Sequence, residues 1–131
     1  MRCVIADDHP LFRNALAALL TDSGLASSVE GVADVAALQA HIDAEGAPEL
    51  LLLDLHMPGA SGFSALGWYT GAHAGNPVVM ISANTHPDTV RRAVDLGAAA
   101  FLSKSASTAT IGECLQRVLA GERGLHPDLA I

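Results

Sequence analysis

Short apolar runs alternate along the chain with stretches whose apolar residues recur every three or four positions. RCVIAD (2–7) is apolar and carries β-branched Val4 and Ile5, which predicts a strand. Leu11, Phe12, Ala15, Leu16, Leu19 and Leu20 then follow helical spacing until Gly24. ASSVEGVA (26–33) is the most polar strand-like run and reads as an edge. Asp34 is placed to cap a helix carrying Val35, Leu38 and Ile42 and stopping near Gly46. ELLLLD (49–54) shows no alternation, so both its faces are expected to be buried, as in a central parallel strand. A third helix is expected from Gly62 to about His73, with Phe63 and Leu66 inward and Trp68 and Tyr69 as partial core. PVVMIS (77–82) is a fourth strand. Thr85 to Leu96 is a helix entered through Pro87 and Asp88 and closed by Gly97. AAFLS (99–103) is a fifth strand, and Ile111, Leu115, Val118 and Leu119 mark a last helix over 108–120. Five β-α units in succession predict an α/β fold: a parallel sheet covered by helices on both faces.

Composition narrows the class. The 131 residues suit one domain, half are hydrophobic, and small aliphatic residues outweigh aromatic ones. Seven basic against fourteen acidic residues give a formal charge of −7, which argues against direct contact with nucleic acid or an anionic membrane. No apolar run approaches the roughly 20 residues that span a bilayer, and the N-terminus does not read as a signal peptide. Cys3 and Cys114 sit in apolar runs and read as small buried hydrophobes in a reducing cytosol; a disulfide or metal pair is the alternative. A cytoplasmic location is expected. From Gly121 on, GERGLHPDLAI loses periodicity and reads as the start of a linker.

The strand ends carry the candidate chemistry. In open parallel sheets ligands bind beyond the carboxyl ends of the strands. Here those ends bring Asp7 and Asp8, then Asp54, then Ser82, then Lys104. Carboxylates gathered together repel unless a cation neutralises them, and hard oxygen donors favour Mg²⁺. A carboxylate can attack phosphorus and form an acyl phosphate; a lysine adds positive charge, and a hydroxyl can bond the new phosphoryl oxygens. Taken singly each has a plainer reading: Asp8 as a turn former, Ser82 as a helix cap, Lys104 as a solvated lysine. Mutually compatible chemistry at four strand ends favours one site.

This pattern resembles the receiver domain of two-component response regulators, over nearly the whole chain: VIADDHPLFR, LLLDLHMPG, PVVMISAN and GAAAFLSKS match in order and separation. The resemblance implies a flavodoxin-like three-layer sandwich with strand order 2-1-3-4-5 and five helices. It implies Asp54 as phosphoacceptor, with Asp7, Asp8, Asp54 and the backbone carbonyl of His56 around Mg²⁺. Ser82 matches the switch hydroxyl, Lys104 the phosphoryl-pairing lysine, and Phe101 the switch aromatic that turns inward when Ser82 is drawn to the phosphate. DDHPLFR and FLSKSAS look most like the LuxR type. On that reading residues 1–121 are the receiver and 122–131 begin a linker to a DNA-binding domain absent from this chain. Two departures stand out. Ser105 replaces the proline that often follows the lysine with a cis bond, which leaves the geometry of Lys104-Ser105 open, and Phe101 lacks the hydroxyl of the commoner tyrosine.

Four further points complete the expectation. His9 reads as a loop residue before Pro10, with metal ligation as the alternative. His56 and Asn84, two residues beyond Asp54 and Ser82, are expected to overhang the pocket and tune attack of water on the acyl phosphate. Arg91 and Arg92 form the main basic cluster, on a face where many receivers meet partners. Surplus apolar positions on the first and last helices suit a homodimer or kinase contact. The expected function is a phosphorylation switch, not a turnover enzyme, whose partner is a sensor histidine kinase and whose route to DNA runs only through the absent domain. Two rivals are a haloacid-dehalogenase-type phosphatase, disfavoured by His56 where a second acid is needed, and a receiver-like binding module that is never phosphorylated.

Overall fold

The computed structural model describes residues 1–58, 61–127 and 129. Five parallel strands, β1 (Arg2–Ala6), β2 (Ser28–Val32), β3 (Leu50–Asp54), β4 (Val78–Ser82) and β5 (Ala100–Ser103), form one sheet in the order β2-β1-β3-β4-β5. Helices α1 (Pro10–Asp22), α2 (Val35–Glu45), α3 (Gly62–Ala72), α4 (Pro87–Asp95) and α5 (Thr108–Leu119) alternate with them. Strand order reverses between β1 and β3, so the carboxyl ends of these two strands flank the switch point.

The unbroken apolar run of β3 is buried at all five positions, as is that of β4. β2 is largely exposed, as its polarity foretells. Two cores follow from the two faces of the sheet. One gathers Leu51, Leu53, Leu66, Tyr69 and Phe101 under α2, α3 and α4; the other gathers Ile5, Leu16, Leu20, Leu52 and Leu115 under α1 and α5. Trp68 packs half-buried against the first core. Cys3 is fully buried, and burial pushes its thiol up to about 12.

Local signals fix the helix starts. Asp34 accepts the Ala37 N–H at 2.7 Å, and Ser61 and Ser107 accept from Ser64 and Thr110 at 3.1 Å each. α4 differs from its expected bounds. It begins at Pro87, and the His86 ring accepts the Asp88 N–H at 3.1 Å as its cap, so Ser82 and Thr85 lie outside it. Leu11 keeps the helical period of α1 yet is 88% exposed, because only the Leu16–Leu20 side of α1 meets the sheet. Gly59 of the LLLDLHMPG motif and Asp128, Ala130 and Ile131 of the expected linker lie outside the described residues. Leu125 bridges to Ala100 in parallel, outside β5.

Candidate functional site

The ends of β1, β3 and β5 deliver their polar residues to one rim. Asp7 and Asp54 are almost wholly buried, at 2% exposure each. The sheet carries them there: Asp7 N–H donates to Val32 O, and Asp54 pairs in register with Ile81. Lys104 follows β5, held by its N–H to Ser82 O at 3.0 Å. Its Nζ reaches Asp7 Oδ2 at 3.0 Å and Asp54 Oδ2 at 3.3 Å, and lies 5.0 Å from the Phe12 ring centre. Residues from three strand ends far apart in sequence thus form one ion-paired triad.

Electrostatics at Asp54 pull in both directions. Burial raises its carboxyl above the usual carboxylate range; the His56 N–H at 3.1 Å lowers it, Asp7 raises it and Lys104 lowers it. The net effect is upward. Lys104 supplies positive charge that favours the ionised carboxylate.

Asp8 Oδ1 is shielded and accepts no well-formed hydrogen bond among the described residues, although His9 Nδ1 stands 3.2 Å away. Ligand atoms of Asp7, Asp8, His9 and Asp54 all lie within 4.8 Å of one another. An unsatisfied carboxylate oxygen beside two further carboxylates fits a hard divalent cation.

The remaining sequence candidates are placed as follows. His56 is exposed beside Asp54, and its amide is the group seen to engage the site. Ser82 is fully buried at the end of β4, and its hydroxyl accepts the Asn84 N–H at 2.9 Å. Asn84 is exposed, and its Oδ1 accepts the His86 N–H at 3.2 Å. Both His56 and Asn84 line a cleft with Asp8. Phe101 is fully buried, so its ring is already inward. The Lys104-Ser105 bond is trans, as is every peptide bond among the described residues.

The structure adds residues that the sequence reading underweighted. His9 Nδ1 lies 3.0 Å from Lys104 Nζ, 3.1 Å from Asp7 Oδ1 and 3.2 Å from Asp8 Oδ1. Arg13 donates to Asp7 O at 2.7 Å and steadies the acidic turn. Its position one turn into α1 was the only available signal. Gly62 is sterically required: a Cβ there would lie 2.1 Å from Leu55 O, against the backbone that follows Asp54.

Comparison with known proteins agrees with this geometry. The family model described as "Response regulator receiver domain" matches residues 3–116. The chain is 34% identical over 128 residues to the glycerol metabolism activator of Pseudomonas putida, covering 98% of this chain and 58% of that protein. It is 32% identical over 133 residues to the probable transcriptional regulatory protein NarL of Mycobacterium tuberculosis, covering 98% of this chain and 59% of that one. The chain therefore spans somewhat under two thirds of the length of these relatives. Among solved structures, the signal receiver domain of NarL from Mycobacterium tuberculosis superposes with a TM-score of 0.80 at 34% identity, covering 92% of this chain and 97% of that one. RcsB of Salmonella typhimurium shares the fold at a TM-score of 0.86 and 21% identity, covering 94% of this chain and 61% of that one. With the acidic rim, the paired lysine and a family match across most of its length, the chain belongs to the response-regulator receiver domains.

Proposed function

We propose that Asp54 accepts a phosphoryl group from a sensor histidine kinase and that the resulting charge switches the domain. One observation carries this reading: a 2%-exposed carboxylate ion-paired to Lys104 at 3.3 Å, on a rim with two further aspartates. An Asp54 oxygen attacks the phosphorus of a phosphohistidine, the P–N bond breaks, and the imidazole leaves with that electron pair. Lys104 exchanges its carboxylate partners for phosphoryl oxygens, keeping its charge satisfied. Asp7, Asp8, Asp54 and the His56 carbonyl would hold Mg²⁺. When bound, that ion neutralises the acids and draws charge from the phosphoryl oxygens. Ser82 turns its hydroxyl from the Asn84 amide to the phosphoryl group, and Phe101 stays inward in the resulting arrangement. His56 and Asn84, exposed at the mouth, set how readily water reaches phosphorus. The domain is thus a self-modifying switch rather than a turnover enzyme.

Residues 1–121 are the receiver in this reading, and 122–131 lead toward a DNA-binding output domain of the kind expected in LuxR-type regulators. The output is transcriptional control in the cytoplasm. No helix among the described residues is long and apolar enough to cross a membrane. Exposed Leu11 beside the rim suits the kinase, and exposed Leu119 on α5 suits a second copy.

Incubation with acetyl phosphate and Mg²⁺, followed by intact mass, tests the reading. The expected result is one phosphoryl adduct in the wild type and none in Asp54→Asn. An adduct that persists in Asp54→Asn would remove Asp54 from the role; no adduct in either protein would favour the non-phosphorylated binding module.

A further inference from the structure

β5 is the last strand of the sheet, and its outer edge would present unpaired N–H and C=O groups. The chain itself covers part of that edge. Leu125 N–H donates to Ala99 O at 3.1 Å, and Phe101 N–H donates to Leu125 O at 2.8 Å. Leu125 packs on the α1–α5 core. A fork closes the connection from α5: Arg117 Nε and Nη2 donate to the Glu122 carboxylate at 3.0 and 2.8 Å. The Glu122 N–H returns to Arg117 O at 3.1 Å, and Arg123 Nη1 donates to Val118 O at the same distance. Gly121 and Gly124 take φ of +104° and +70°, left-handed values that let the chain reverse twice within four residues.

We infer that residues 122–126 form a strap that bridges the outer edge of β5 at Leu125 and carries a change at Phe101 to whatever follows the receiver. The observation behind it is that the backbone of the switch aromatic is hydrogen-bonded to this segment and not to solvent. A shift of β5 cannot occur without breaking or dragging that bond. The strap also occupies the Phe101 N–H and so interrupts edge-to-edge pairing of β5 with another chain. The pairing stands on the structure alone; the signalling role rests on the phosphoacceptor reading.

Amide hydrogen exchange on the whole chain tests both parts. Leu125→Asn removes the apolar anchor, and Glu122→Ala opens the fork while leaving the core untouched. In either variant the Phe101 amide should exchange about tenfold faster, the change expected from losing one hydrogen bond of ordinary net strength. A Phe101 amide exchanging equally fast in all three proteins would overturn the strap. Wild type is then treated with acetyl phosphate and Mg²⁺, with adduct measured by mass in the same sample. Several-fold altered exchange at Leu125 in the adduct supports transmission. An adduct with unaltered exchange there overturns transmission and spares the phosphoacceptor reading. Absence of adduct overturns that reading and the signalling role together, while the variant comparison still decides the pairing.

Discussion

Two glycines of α3 should respond to the same substitution in opposite directions. At Gly62 a Cβ would lie 2.1 Å from Leu55 O and 2.6 Å from Leu55 C and Cα. Ordinary carbon contacts sit near 3.5–4 Å, so backbone must move by about 1 Å. Leu55 cannot retreat easily: its N–H is bonded to Ile81 O at 3.1 Å and its side chain is 3% exposed. Moving α3 instead pulls on the Ser61 cap. Gly62→Ala should therefore cost about 1–3 kcal/mol, the usual price of overpacking. Gly67, within the same helix, has nothing within 4 Å of its Cβ position. Gly67→Ala should stabilise by about 1 kcal/mol through helix propensity. Urea unfolding followed by the fluorescence of Trp68, the one tryptophan, reads both. Because Leu55 adjoins Asp54, labelling by acetyl phosphate should also slow in Gly62→Ala and hold in Gly67→Ala. Gly62→Ala within about 0.5 kcal/mol of wild type, or equal losses in both variants, would refute the steric reasoning.

Tyr69 is fully buried, its Oη has no hydrogen-bond partner among the described residues, and burial pushes the phenol up to about 12. Tyr69→Phe keeps the ring packing against Trp68 and His73 and should raise stability by about 1 kcal/mol; a loss of that size in urea would mean the hydroxyl is satisfied. Burial raises Asp54, so the folded protein holds that proton more tightly than the unfolded chain. The stability this contributes is full below the unfolded carboxylate value and is lost as pH rises through the folded one. In chelator, Asp54→Asn should accordingly be more stable than wild type at pH about 7.5 and lose that advantage near pH 3; an unchanged difference across that range would contradict the burial argument. Asp34→Ala removes the cap on Ala37 and should cost about 1 kcal/mol by thermal unfolding, whereas Asp34→Asn should keep most of it.

Much of the fold was written locally. The unalternating LLLLD could be satisfied only between two covered faces, and Asp34 announced a helix one residue ahead of it. The polar strand ends of β1, β3, β4 and β5 were visible as interruptions of apolar runs, because a carboxylate cannot continue a buried strand without a partner. Period alone could not tell exposed Leu11 from buried Leu16, since a helical repeat marks a stripe and not its depth. His9 is the loop residue before Pro10 that the sequence indicates, but its closeness to Lys104 spans 95 positions of chain and leaves no local mark.

Sequence by itself determined the strands, most of the helices and the kinds of group at the strand ends, because propensity, capping and burial act over a few neighbouring residues. Tertiary structure alone decided that Lys104 lands between Asp7 and Asp54, that Gly62 must lack a side chain and that Leu125 returns to β5. Each of these depends on the sheet order bringing distant segments into contact, and such contacts leave no periodic mark on the chain.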